Sequence, residues 1–304
     1  MPSPVPAGFT RGAIMFLGPM TSPAGEERLL QRFWNEAGAY GSRIVIIAAG
    51  ATGASAGERY ATLFRNWESD LVTVLRVDTR AQAQQESLVE QLHLCTGMMI
   101  VAENALRLAG ILGGTALAQT IRRMNAQSKI VCAAGSGASI LCQHMMVADP
   151  DTQIPGNPGD GPVQPFVFRS LVQFAPGLGI VNRLVLDCTN ERSASAHAPL
   201  GRLLTAVAYN PFLIGVSLEP DTGVALYANS TMEVFGERNA LLVDGAQMQH
   251  NDLAEAPATR AFSMLGVHLH VLALGCTFNM DNHVAAAPAE ADLSLSSTVV
   301  KSAY

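Results

Sequence analysis

The chain has 304 residues, 49% of them hydrophobic and only 14% charged, with a net charge of −6. That length can bury a sizeable core, as one large domain or two small ones, and the low charge with abundant Ala, Gly and Val argues against disorder. No Lys/Arg cluster or basic helix offsets the acidic balance, so nucleic acid is not an expected partner.

The opening Met1-Pro2-Ser3-Pro4-Val5-Pro6 lacks a basic segment followed by an apolar core, so it does not read as a signal peptide. Residues 1–10 read as a flexible tail, 11–284 as a single domain, and 285–304 as an Ala/Ser-rich tail that frays. Within the domain, Ile14–Leu17 reads as a strand stopped by Gly18-Pro19. Glu26 to Ala37 has helical spacing (Leu29, Leu30, Phe33) and stops at Gly38. Arg43 to Ala49 reads as a buried strand, Tyr60 to Trp67 as a helix and Leu71 to Val77 as a strand. Ala81 to Leu94 reads as a polar-faced helix and Met98 to Ala102 as a strand. Leu106 to Met124 is helical, broken at Gly113-Gly114. Lys129 to Ala134 is a further strand, and Ser139 to Val147 a further helix. Asp149 to Pro165 is a Pro/Gly/Asp-rich loop. Beyond it come shorter strand-like runs at Arg183–Leu186, Phe212–Val216, Val224–Tyr227, Ala240–Val243 and Val267–Leu274, expected to continue the first-half sheet.

Strands alternating with helices at this spacing indicate βαβ units and a parallel sheet. Ligands of such sheets sit outside the carboxyl ends of the strands, so the turns after Leu17, Ala49, Ala102 and Ala134 are where chemistry is expected. No apolar stretch approaches bilayer-spanning length, and the mean hydropathy of +0.23 is expected to reflect a large core and a buried subunit interface. The five cysteines, Cys95, Cys132, Cys142, Cys188 and Cys276, are scattered in mostly apolar runs. They read as small buried hydrophobes in a reducing, cytoplasmic setting, without a zinc or disulfide framework.

Ile130 to Ala134, Gly135-Ser136-Gly137-Ala138, then Ser139-Ile140 has the layout of a nucleophile elbow. There a serine sits on a strained strand-to-helix turn, and small neighbours let backbones approach. The segment resembles the elbow of the cyanophycinase/aspartyl-dipeptidase family (peptidase family S51), with Gly137-Ala138 and His144-Met145-Met146 in register. Five more blocks resemble that family in the same order. They are Leu106-Arg107-Leu108 with Leu112-Gly113-Gly114-Thr115; Gly177-Leu178-Gly179-Ile180 with Asp187; Leu200-Gly201-Arg202-Leu203-Leu204; Gly215 to Thr222; and His268-Leu269-His270-Val271-Leu272 with Gly275.

The resemblance implies a flavodoxin-like, class I glutamine amidotransferase-like α/β fold. Its central sheet is mostly parallel with helices on both faces, and the C-terminal half is β-richer. It further implies a Ser–His–Glu triad cutting β-aspartyl-arginine units or aspartyl dipeptides, no cofactor and no metal, and subunits that pair. Carried over position by position, the triad falls on Gly135, Thr189 and Pro220, none of which can do the chemistry. The family's Gly-Gly-Asp-Gln turn falls on Ala102-Glu103-Asn104-Ala105. Its arginine-rich stretch retains Arg192 and Arg202 around an insertion at 193–197.

Shifted candidates are Ser136, one residue past the elbow position, Glu219, one before the glutamate position, and His197 in the insertion. Residues expected to meet a ligand are Glu103, Asn104, Gly135, Ser136, Asp187, Arg192 and Arg202. His268 and His270 alternate on a strand without an evident third metal ligand. Three functions stay open. One is a pseudoenzyme that binds itself, cyanophycin or an active cyanophycin-metabolising enzyme. The second is a hydrolase with a rebuilt site, and the third is a self-assembling structural protein. None calls for a membrane.

Overall fold

Apolar runs closed by glycine or proline become the central strands. A computed structural model of the chain describes residues 2–102, 104–147, 172–188, 198–256 and 262–288. The first half runs β1 (Ile14–Leu17), α1 (Pro23–Glu36), β2 (Arg43–Ala49), α2 (Gly50–Asn66), β3 (Leu71–Arg76), α3 (Glu86–Leu92), β4 (Gly97–Ala102), α4 (Ala105–Leu112), α5 (Ala116–Ala126) and β5 (Ile130–Ala134). A 3-10 segment, Gly135–Leu141, follows, then β6 (His144–Val147), β7 (Gln173–Pro176), β8 (Leu184–Asp187), α6 (Ala198–Tyr209), β9 (Ile214–Leu218), β10 (Thr222–Leu226), β11 (Thr231–Gly236) and β12 (Ala240–Asp244). The chain closes with β13 (His250–Asn251), β14 (Met264–Leu265), β15 (His268–Leu272), β16 (Thr277–Asn279) and β17 (Val284–Ala286).

The main sheet has the order β17-β16-β11-β10-β1-β5-β4-β2-β3. Its core, β1, β5, β4, β2 and β3, is parallel, and β10 joins β1 antiparallel. A second sheet, β15-β12-β9-β8, lies apart from it. Strand alternation sorts side chains to two faces. Met15 and Leu17 of β1 pack with Leu29, Leu30 and Phe33 of α1 and with Ala61 and Phe64 of α2. Ile14 and Phe16 face the opposite way, toward Leu108 of α4, Ile121 of α5 and the second sheet's Leu186 and Val216. Phe16 and Phe33 are fully buried, and side chains of that kind stabilise by roughly 1.5–3 kcal/mol each. This is the α/β architecture with helices on both faces that the resemblance implies.

Ser22 caps α1 by accepting the Gly25 N–H at 2.9 Å, and Gly38, at φ +114°, ends it as expected. Other expectations need correction. The second half does not simply continue the first sheet: β10, β11, β16 and β17 do, whereas β8, β9, β12 and β15 form the separate one. Helix α2 begins ten residues before Tyr60, at Gly50. Ala81 to Leu94 is a short 3-10 turn (Gln82–Gln84) and then α3. Ser139 to Val147 is not a helix: the 3-10 segment ends at Leu141, and His144–Val147 is a strand paired antiparallel with β7. Regular structure also runs past residue 284, where the sequence suggested a tail, because Val284–Ala286 pairs with β16. The loop at 149–165 and the insertion at 193–197 lie outside the described residues.

Candidate active-site cleft

Four parallel strands end nearly level, since Leu17 is opposite Ala134, Val101 opposite Ala134, and Ala49 opposite Ala102. Their carboxyl ends open into a cleft of about 370 Å³ lined by Pro19, Met20, Glu26, Arg59, Tyr60 and Gly135, among others. This is one of the places the strand order singles out for a ligand.

Gly135 stands where β5 turns into the 3-10 segment, with φ +64°. That left-handed backbone suits glycine and strains other residues. A Cβ built there would meet nothing within 4 Å, so a side chain at this position would have free space. Two residues on, a Cβ on Gly137 would lie 2.7 Å from the Ala102 carbonyl oxygen, so only glycine lets the turn press against the end of β4. Backbone geometry at this turn therefore matches the elbow layout, although the segment after it is 3-10 and not α-helical. Ser136 is the second residue of that segment; its side chain lies outside the described residues.

Glu26 and Arg59 bring charge into the cleft. Arg59 donates to the Glu26 carboxylate at 2.6 Å, and its guanidinium carbon lies 5.2 Å from the centre of the Tyr60 ring. Burial pushes the Glu26 carboxyl above its ordinary value; Arg59 opposes the rise and the nearby Asp221 adds to it. Burial likewise raises the Tyr60 phenol, and Glu26 adds to it. None of these residues was singled out in the sequence. The apolar spacing of α1 marks only its core face, and Arg59 lies on a part of α2 that the spacing did not reveal.

The other expected residues have structural partners. Asp187, at the end of β8, accepts from Arg202 Nε on α6 at 2.8 Å, and both side chains are buried. The structure thus brings these two together, but pairs them with each other. Asn104 caps α4 by accepting the Arg107 N–H at 2.8 Å, and it lines a smaller cavity of about 200 Å³ with Gly50 and Arg107. Glu219 is exposed and accepts the Asn239 N–H at 3.0 Å; neither it nor Pro220 lines the cleft. Glu103, Thr189, Arg192 and His197 lie outside the described residues.

Asp221, next to Pro220, is a residue the sequence reading did not single out. Its buried carboxylate accepts from the backbone N–H groups and hydroxyls of Thr21 and Ser22, at 2.8–3.4 Å. Burial raises its pKa, but these hydrogen bonds outweigh burial and hold it below the ordinary carboxylate value. A depressed folded-state value stabilises the fold above the unfolded pKa of about 3.9, and that contribution disappears as pH falls through the lower folded value. Denaturant titrations should therefore show the stability gap between the native protein and Asp221→Asn narrowing from pH 7 to pH 3. A gap that stays constant with pH would contradict this role for Asp221.

Four of the five cysteines follow the sequence reading: Cys95, Cys132, Cys142 and Cys188 are buried, whereas Cys276 is half-buried, and burial pushes the thiols of Cys95 and Cys142 up to about 11 and about 12. Such thiols are poor nucleophiles and metal ligands. Among the described residues no three His, Cys, Asp or Glu side chains are grouped to hold a metal ion, and no helix is long and apolar enough to cross a membrane.

No protein-family model matches the chain. A cyanophycinase from Geminocystis herdmanii is 26% identical over 276 residues, covering 90% of this chain and 96% of that one. A cyanophycinase from Nostoc sp. is 26% identical over 272 residues, covering 89% and 86%. Among solved structures, a peptidase from an acI-B1 actinobacterium superposes with a TM-score of 0.56 at 17% identity, over 87% of this chain and 98% of that one. The likeness to cyanophycinases runs through about nine-tenths of the sequence, and the likeness to the actinobacterial peptidase shows the same fold.

Proposed function

We propose that this chain is a cyanophycinase-like pseudoenzyme that binds a β-aspartyl peptide of the cyanophycin type in its cleft without cutting it, in a regulatory or targeting role. The observation that carries this reading is Gly135. It occupies the apex of the turn between β5 and the 3-10 segment, in the left-handed conformation, beside a cleft with free space above it. A hydrolase of this type needs a side-chain nucleophile at that apex and an adjacent base to activate it. Glycine supplies no nucleophile. Thr189 and Pro220, where the resemblance puts the base and its orienting carboxylate, supply neither role. Triad members act as a unit, so the residual rate without them comes from positioning alone.

Of the shifted candidates, only Glu219 has a described side chain. Glu219 is exposed and tied to Asn239, outside the cleft lining. Isothermal calorimetry with β-Asp-Arg dipeptide should show saturable binding, and the dipeptide should be recovered intact afterwards. The absence of binding, or recovery of free Asp and Arg, would overturn the reading.

A further inference from the structure

The cleft beside Gly135 already holds a cation, and that cation comes from the chain itself. Arg59 reaches from α2 to Glu26 on α1, and both residues line the cleft with Gly135. Its guanidinium donates to Glu26 Oε2 at 2.6 Å, and its carbon lies 5.2 Å from the centre of the Tyr60 ring. A carboxylate beside an aromatic ring is a good seat for a guanidinium, which pairs with the first and stacks on the second.

The two partners are unequally fixed. The Glu26 side chain is 13% exposed and the Arg59 side chain 60%. Glu26 belongs to the wall of the cleft, whereas most of Arg59 stands in water and can turn away at little cost. Burial raises the Glu26 carboxyl in spite of Arg59, so this one exposed partner does not offset the water that the carboxylate has lost. Only Oε2 of Glu26 is engaged by a side chain among the described residues. Asp221, the other acid near Glu26, offers no such seat, because Thr21 and Ser22 already donate to both of its oxygens.

We infer that Arg59 is a placeholder: a ligand's guanidinium displaces it from Glu26 and takes its position on the Tyr60 ring, so that Glu26 is the residue that selects the ligand for positive charge. The inference rests on the cleft being the ligand site, as proposed above, and adds what recognises one end of that ligand. The exchange leaves no charge alone, since one guanidinium arrives at the carboxylate as the other moves into water. A guanidinium is favoured over an ammonium because its planar donors can engage both carboxylate oxygens at once, which Arg59 with its single bond does not do. A neutral ligand has nothing to exchange and leaves Arg59 in place.

Isothermal calorimetry on the full chain tests it with three probes. They are β-Asp-Arg dipeptide; β-Asp-citrulline, whose urea keeps the shape without the charge; and agmatine, which has a guanidinium but no aspartyl group. The native protein should bind β-Asp-Arg at least about tenfold tighter than β-Asp-citrulline, the effect of a hydrogen-bonded charge. Glu26→Gln should abolish that difference and leave β-Asp-citrulline binding as before. Arg59→Ala should act in the opposite direction, binding β-Asp-Arg and agmatine several-fold tighter than the native protein, because the competitor is gone. A purely structural ion pair would weaken binding in both variants or in neither. Arg59 is exposed enough for its variant to fold even where Glu26→Gln does not, so the sign of its effect decides alone. Guanidinium probes that bind Arg59→Ala no tighter than the native protein would overturn the inference, as would a failure of all three probes to bind. Equal binding of the two dipeptides would keep the β-aspartyl reading and overturn this one. Agmatine binding that follows the expected variant pattern, with neither dipeptide bound, would keep this inference and remove the β-aspartyl reading.

Discussion

Replacing Asp187 with alanine should destabilise the protein by about 3–5 kcal/mol, the usual cost of breaking a buried ion pair by removing one partner. Asp187 closes β8 and Arg202 lies in α6, and their side chains are 2% and 11% exposed. Removing the carboxylate takes an ion-pair partner away from a guanidinium buried between the second sheet and the helix that covers it. The double replacement Asp187→Leu with Arg202→Met should recover most of the loss, because apolar side chains of similar volume need no counter-charge. Urea unfolding at neutral pH checks both. A loss below about 1 kcal/mol in the single variant is what an exposed pair would give, and it would mean that Asp187 and Arg202 do not share a dry environment. It would also return Arg202 to the ligand-binding role that the family resemblance gives it.

Replacing Gly135 with serine should leave a folded protein that is less stable by roughly 1–3 kcal/mol, the cost of holding a side-chain-bearing residue in a left-handed conformation. The φ of +64° sets this cost, and free space around the Cβ position means that no clash adds to it. In an active enzyme such strain is tolerated because it exposes the nucleophile; with glycine at the apex it is relieved. The variant should not gain hydrolytic activity, because no histidine stands at position 189 to take the serine's proton. Melting curves decide the structural half of this expectation. An unchanged or raised midpoint would mean that the turn relaxes away from the elbow geometry.

Much of the fold could be read from local signals. β1, β2 and β5 are apolar runs closed by Gly, and the end of α1 carries its punctuation in Gly38, whereas the Ser22 cap at its start emerged only in the structure. What escaped was set by tertiary contact. The first half of α2, Gly50 to Gly57, has no apolar period, because small residues suit its close packing on the sheet. A Cβ on Gly53 would lie 2.7 Å from the Val101 carbonyl oxygen, and one on Gly57 would crowd Ala48. His144–Val147 has helix-compatible spacing, but its partner strand β7 begins at Gln173, a pairing that no local window contains. The cleft was half legible. Its backbone turn announced itself through Gly135-Ser136-Gly137, whereas the Glu26–Arg59 pair joins residues 33 positions apart on two helices and leaves no mark in either.

On the proposed reading, the chain keeps a cyanophycinase-like fold while its elbow carries no nucleophile. Turnover of cyanophycin and of β-Asp-Arg dipeptide by the purified protein tests it most directly, followed by arginine release and run beside a Ser136→Ala variant. No release above background is expected from either protein. Release by the native protein that disappears in Ser136→Ala would contradict it and would move the nucleophile one residue along the turn.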